Sequence, residues 1–585
     1  MKVTKHKKAA QPAAPASTSQ TGLPMWTWPA LLAAALAVVL EIYWPAIRGP
    51  FVFDDEYLAF RDPGFLERGL WSLNPTVRPF LHLSYWLNLY FSGPEDTFSY
   101  HLWNVLLHFA NSVMMFFAVR KLLAMVGEEG QRGRMLAGFA AAVFLVHPVH
   151  TEAVAYIAGR SESYSLLWFL SAYVLFLYRR EEGVGWLPAL GILALFGAAF
   201  LSKEHTAVLP ALFVLTDVYF SKTGAVDGVR RNWRLYGPMV AVGAAGVALV
   251  VKVLSEASTA GFRVLPWYEY LFTQWRAIWV YLKLAFLPIG LNADYFVPIS
   301  HTPLEHGALF GLIGLLALLG AAFHYRKQFP LALFGVLVFF LLLAPTSSIV
   351  PIKDPIAERR LYLPFLGLLL ALCDVLRRWN ASRTLQWGAM GLVLALLAMG
   401  TYRRSEIWSD PMKLWSDTAA KGPDNSRAQF QLAMVHYTRG ECAEALDKFA
   451  LAEKAGMKKD YSLYLDWGLA YDCLNDPARA EAKFRQAAAL YDKERAENKA
   501  HVRALIGMAL ARQSKPGAAL EELKEAEKLD PNYDITYVYR GKVFLLMNEP
   551  DRAEAEYRKA LAVRPNSEAA RQALQELAQR RGSAR

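Results

Sequence analysis

Up to about Thr401 the chain alternates long apolar runs with short basic gaps; from about Tyr402 onward it is charged, Ala-rich and helical in period. A helix needs roughly 20 apolar residues to cross a hydrocarbon core. Runs of this kind fall at 29–47, 101–122, 136–155, 163–178, 186–202, 206–220, 236–254, 307–323, 331–345, 359–376 and 385–401, several of them short. Lys and Arg placement orients them. "MKVTKHKK" sets the N-terminus in the cytoplasm, and "RKLLAMVGEEGQRGR", "YRREE", "SKTGAVDGVRRNWR", "HYRKQ" and "LRRWNASR" belong on the same side. Eleven crossings satisfy all of these and send 48–100, 156–162, 203–205, 255–306 and 346–358 to the other side. The run 270–291 is apolar enough to span, but its crossing would misplace "HYRKQ". It reads as interfacial or re-entrant, with a twelve-span arrangement as the alternative.

Segment 48–100 is too long for a plain connector. Within it, Arg78–Phe91, "RPFLHLSYWLNLYF", mixes Trp and Tyr with apolar residues. That suits a helix lying in the interface, as a roof over a cavity.

The second half is a repeat. Ala433, Gly468, Gly507 and Gly541 align. Twelve residues after each comes Ala (Ala445, Ala480, Ala519, Ala553), and sixteen after comes a large residue (Phe449, Phe484, Leu523, Tyr557). Nineteen after comes Ala again (Ala452, Ala487, Ala526, Ala560). This is the tetratricopeptide (TPR) pattern, with a period of about 34. A small insertion near "KERAENKAH" stretches the second unit. TPR stacks form concave grooves that hold peptides or proteins; the plain alternative is a cap on the membrane half.

The fold expected is therefore all-α: a polytopic helical membrane domain of about 11 spans, then an α-solenoid. The divisions are a disordered basic tail (1–25), the membrane domain (26–402), a linker (403–424) and four repeats (425–579). The tail and the first run together read as a retained signal anchor.

Composition changes this picture little. The chain has 585 residues, is 54% hydrophobic and carries a net charge of +11. The positive charge sits mostly in short loops rather than on one face of a soluble domain, which argues against nucleic-acid binding. Of the three cysteines, Cys373 lies in an apolar run. Cys442 and Cys473 fall at neighbouring ends of successive repeats, where a disulfide is expected in an oxidising compartment. An odd number of crossings puts the repeats in such a compartment.

The segments assigned to the outer side hold "FDDEY", "NPTVRPFLH", "HPVHTEAVAYIAGRSE", "LSKEH" and "KDPIAERRLYLP". They gather Asp54, Asp55, Arg78, Glu152, Arg160, Lys203, Glu204, Lys353, Glu358 and Arg359 on one side. Ionisable groups at membrane depth are costly and usually functional. Transfer of a sugar from a lipid-linked phosphate to a hydroxyl needs this set. A carboxylate serves as base for the weak nucleophile, and cations stabilise the leaving phosphate. A transporter would instead carry charges along a path through the spans.

With these motifs in this order, the chain resembles the transmembrane and TPR-containing O-mannosyltransferases and their bacterial relatives, of the GT-C class of membrane glycosyltransferases. The resemblance covers nearly the whole chain except the tail. It implies a polyprenyl-phosphate sugar donor with mannose as default, inverting transfer to protein Ser/Thr hydroxyls, an acidic pair in the first outer loop, and repeats on the catalytic, non-cytoplasmic side. Asp54 and Asp55 match the acidic pair, one of them being the base. Donor phosphate contacts are expected from Arg78, Arg160, Lys203 and Arg359 (or Arg360). His147, His150, Glu152, Glu204 and Glu358 are expected to shape the cavity. An exported acceptor or a partner would occupy the repeat groove. No metal or other cofactor is expected: His147 and His150 invite a metal reading, but Pro148 breaks the helical spacing.

Structural alternatives stand beside these roles: helix capping by Asp54 or Asp55, an Arg160–Glu162 pair, and a Lys203–Glu204 pair. The competing function is a non-catalytic membrane-anchored TPR scaffold.

Overall fold

The computed structural model describes residues 27–62, 64–69, 78–221, 224–240, 265–458, 460–491 and 494–583. The tail 1–25 and most of the run 236–254 lie outside these residues. Among the described residues every regular element is a helix, without a strand. The helices used below are α1 (Thr27–Ile47), α2 (Pro79–Ser92), α3 (Thr97–Met125), α4 (Gly130–Val146), α5 (Arg160–Arg179), α6 (Trp186–Phe200), α7 (Leu209–Tyr219), α8 (Trp267–Phe286), α9 (Ala308–His324), α10 (Pro330–Leu343), α11 (Phe365–Leu376), α12 (Arg383–Trp408) and α13 (Pro411–Lys421).

Among the described residues, four helices are long and apolar enough to cross a membrane: Thr27–Ile47, Thr97–Met125, Glu305–His324 and Arg383–Trp408. A fifth crossing arises if α4 and Pro148–Ala155, bent by 50°, form one broken span. This is a membrane protein, but eleven crossings are not evident by length. Five further expected runs form α5, α6, α7, α10 and α11, which are too short or too polar to qualify singly. α8 does not qualify either. It is amphipathic, burying Tyr270, Gln274, Ala277 and Tyr281 while exposing Trp267, Trp279 and Phe286.

α3 sits at the centre against α4, α5 and α1, and α1 also runs along α12. α10 and α11 pair through Gly335 and Gly367, where a Cβ on either would strike the other's carbonyl oxygen. Small residues at such crossings let backbones approach closely.

The expected linker 403–424 is not a linker. α12 continues through Tyr402 and buries Arg404, Ser405 and Trp408. α13, capped by Asp410 accepting from Met412 N at 2.7 Å, buries Leu414, Trp415 and Thr418. Its apolar stripe is what turns the segment into a packed helix.

Four helix pairs follow, beginning at Ser426, Tyr461, Ala496 and Asp534, and Glu568–Ser583 closes the stack. The insertion in the second unit feeds an extra turn: Ala496–Arg512 has 17 residues where the other three first helices have 13. Cys442 and Cys473 are joined by a disulfide with Cα atoms 6.4 Å apart, as their repeat positions suggested. The solenoid is tied to the membrane half at its first helix. Asn425 Nδ2 donates to Asp294 Oδ2 (3.0 Å), and Arg427 bonds Asp294 (2.7 Å) and Asp354 (2.8 Å).

The repeat positions explain themselves in space. A Cβ on Gly468, Gly507 or Gly541 would collide with Phe484, Leu523 or Tyr557, the residue sixteen later. Overpacking such a contact costs roughly 1–3 kcal/mol. Gly541→Ala should lower the thermal midpoint of the intact chain accordingly, while Gly517→Ala, at an open position, should not.

Candidate active site

One cleft of about 590 Å³ collects the polar residues expected to meet. Its walls come from the loop after α1, from α2, from the turn before α5, from the turn after α6, and from the segment before α11. Asp54, Arg78, Glu162, Lys203, Glu204 and Arg359 line it, together with His82, Tyr85, Tyr156 and His205. α2 forms the roof. Phe80 N bonds Leu201 O (3.2 Å), while Tyr90 and Phe91 at its far end stay exposed.

The two adjacent acids part company. Phe53–Tyr57 is a turn of 3-10 helix. Asp54 is exposed on the cleft wall, and its backbone N–H donates to Tyr156 Oη at 3.0 Å. Asp55 points the other way and is wholly buried. Its Oδ2 accepts from Val52 N (3.1 Å) and its Oδ1 from Ala158 N (2.8 Å). It clamps the acidic turn to the turn before α5.

Burial pushes Asp55 up to about 8, against the two N–H donors. The folded chain therefore holds this proton to higher pH than the unfolded chain does. The resulting stability is complete below the unfolded value of 3.8 and is lost as pH rises through about 8. The thermal midpoint should thus fall between pH 6 and pH 9, and Asp55→Asn should flatten that slope.

Three cations in the cleft each carry a carboxylate partner. Arg78 holds Glu204 with two bonds, 2.8 and 2.9 Å. Lys203 holds Glu162 at 2.5 Å and Ser161 Oγ at 3.0 Å. Arg359 pairs with buried Glu152, which also accepts from Arg359 N at 2.8 Å. The pairs Arg160–Glu162 and Lys203–Glu204 do not form: Arg160 and Glu162, two apart on α5, leave different faces of the helix, and Lys203 and Glu204 take other partners. Burial pulls Lys203 down to about 8, with Glu162 opposing. Among the described residues, Asp54 is the cleft carboxylate without an ion-pair partner.

Arg160 is misassigned as a phosphate ligand. It is fully buried and does not line the cleft. Nε donates to Asn104 Oδ1 (2.8 Å), and Nη2 donates to Asn88 Oδ1 (2.9 Å) and Tyr100 O (3.0 Å). The guanidinium lies over the Tyr85 ring. It ties α2, α3 and α5 together.

The residues expected to shape the cavity divide likewise. Glu204 lines it. Glu152 stands behind Arg359, and Glu358 accepts from Tyr295 Oη (2.8 Å) and Asn292 N (2.5 Å), bracing the loop before α9. His147 accepts from Val149 N and meets Ala285 O, and His150 packs on Phe144, Tyr362 and Phe365; both belong to the core behind the cleft. Among the described residues, no group of three or more His, Cys, Asp and Glu is arranged to hold a metal. Arg360 reaches the rim but spends its N–H groups on Pro355 O and Asp354 O. Lys353 is not among the lining residues.

The cleft also holds Glu162, His205 and Tyr156, which no spacing in the sequence marks as site residues.

Phe53 is strained. Its φ is 55°, a left-handed backbone that costs a bulky residue about 1–3 kcal/mol. Its ring lies 6.3 Å from Tyr156 and 5.3 Å from Trp415, with the Arg427 guanidinium 5.9 Å away over its face.

No family model matches the chain. It is similar to Protein O-mannosyl-transferase TMTC3 of Mus musculus, 23% identical over 603 residues, covering 91% of this chain and 64% of that protein. It is also similar to Protein O-mannosyl-transferase F38B6.6 of Caenorhabditis elegans, 27% identical over 423 residues, covering 67% and 58%. The chain thus spans somewhat under two thirds of these relatives, and the resemblance to the TPR-containing O-mannosyltransferases holds across most of its own length. Among solved structures it is similar to YrrB, a TPR protein, at 20% identity and a TM-score of 0.25, covering 32% of this chain and 89% of that one.

Proposed function

We propose that the chain is a membrane glycosyltransferase that moves mannose from a polyprenyl phosphate to Ser/Thr hydroxyls of exported proteins. The observation that carries this is the cleft, where one carboxylate without an ion-pair partner faces three cations. Asp54 takes the proton as the hydroxyl oxygen attacks C1 of the sugar. The C1–O bond to phosphate breaks, its electron pair stays on the phosphate, and in-line displacement inverts C1. Arg78, Lys203 and Arg359 turn from their carboxylates to the departing phosphate. This reading assigns the charge stabilisation to these side chains and names no metal.

The relatives' names support the mannosyl transfer. The disulfide between Cys442 and Cys473 supports a non-cytoplasmic, oxidising location for the repeats. The basic gaps support the same orientation. The repeats hold the acceptor in their groove.

The test uses the full chain in vesicles with a C55 polyprenyl-phosphate mannose and a Ser/Thr-rich peptide. The expected product is peptide carrying one hexose, with release of polyprenyl phosphate. Folded protein that leaves both substrates unchanged overturns the reading in favour of the scaffold.

A further inference from the structure

Phe53 is the residue before Asp54, and its ring is gripped from the repeat half of the chain. Trp415, on α13, meets it edge-on at 5.3 Å and is almost fully buried. Arg427, at the start of the first repeat helix, covers its face while Asp294 and Asp354 hold the guanidinium. On the other side Tyr156 stacks on the ring and accepts the Asp54 N–H. Tyr156 in turn rests against Trp408, near the end of α12. A strained backbone persists only where its surroundings over-determine it, and such strain clusters at functional sites. Here the surroundings are Tyr156 from the turn before α5, Trp415 from the connecting helix and Arg427 from the solenoid.

We infer that Trp415 and Arg427 are positioning residues: by holding Phe53 in its left-handed conformation, they aim the Asp54 carboxylate into the cleft. The repeat half then contributes to the chemical step itself, separately from any acceptor its groove holds. Neither residue lines the cleft, so neither contacts donor or acceptor there. The inference rests on Asp54 being the base.

A misplacement of about 1 Å costs on the order of 100-fold in rate. In the vesicle assay, Trp415→Ala should lower kcat by about 10–100-fold, with KM for donor and peptide within about twofold. Trp415→Phe keeps an aromatic edge and should recover most of the rate. Phe53→Gly accepts the left-handed backbone without strain but has no ring to grip; its kcat should fall as in Trp415→Ala. The double variant should be no slower than the slower single one, because both remove the same contact. This pair also serves if Trp415→Ala alone yields little folded protein, since Phe53→Gly carries the same expectation. Wild-type kcat in Trp415→Ala or in Phe53→Gly overturns the inference. So does a loss carried by KM, or multiplicative losses in the double variant. Failure of the underlying reading looks different: Asp54→Asn would then match the wild type, whatever Trp415 does.

Discussion

Asp54→Asn is expected to lower mannosyl transfer by about 10²–10⁴-fold, the contribution of a positioned general base, with donor KM unchanged. The side chain is near-isosteric, and its backbone bond to Tyr156 does not depend on the carboxylate. Removing the charge therefore removes proton acceptance and little else. Asp55→Asn provides the contrast. An amide there sets an N–H₂ against one of two N–H donors, Val52 N or Ala158 N. The cost is roughly 1–3 kcal/mol of stability, while the folded fraction keeps its kcat. Steady-state transfer and thermal melting, measured on both variants, check the assignment. If Asp55→Asn kills kcat in well-folded protein and Asp54→Asn does not, the roles are reversed.

Arg160→Ala should be among the most damaging changes to the fold. It strips donors from Asn104 Oδ1, Asn88 Oδ1 and the Tyr100 carbonyl, and it empties space beneath the Tyr85 ring. Each buried acceptor left unsatisfied costs roughly 1–3 kcal/mol, so a loss of at least about 3 kcal/mol is expected. Arg160→Lys keeps the charge but cannot reproduce the fork, and should recover little. Thermal unfolding in detergent measures both. A donor phosphate ligand would behave otherwise, with Arg160→Lys folding normally and raising donor KM.

The helical membrane half, the repeats and the cysteine pairing follow from periodicity and spacing, which are local properties. The convergence of Asp54, Arg78, Lys203, Glu204 and Arg359 in one cleft matches the expectation from the basic gaps, which group the segments carrying them. Which partner each takes was not readable. Lys203 reaches Glu162 across two turns, and Arg78 takes Glu204, both decided by packing over long sequence separations. For Arg160, a buried charge in an apolar setting marks a functional residue and a structural clamp equally well, and the difference is the set of amides and carbonyls around it. The segment 403–424 looked like a linker because its stripe is short. Its apolar residues Leu414 and Trp415 are buried in the core that joins the membrane half to the first repeat helix.

Among the described residues the solenoid is attached at its first helix, which makes it a cantilever. Asn425 and Arg427 anchor its root, whereas the last pair and the closing helix form a separate cluster around Tyr537, Phe544, Tyr557 and Leu577. Repeats touch only their neighbours, so compliance accumulates along the beam. Amide exchange should be slowest at the root and quicken toward Glu568–Ser583. A cargo gripped near the root would be held stiffly beside the cleft, and one gripped near the tip would sweep a wide arc across its mouth.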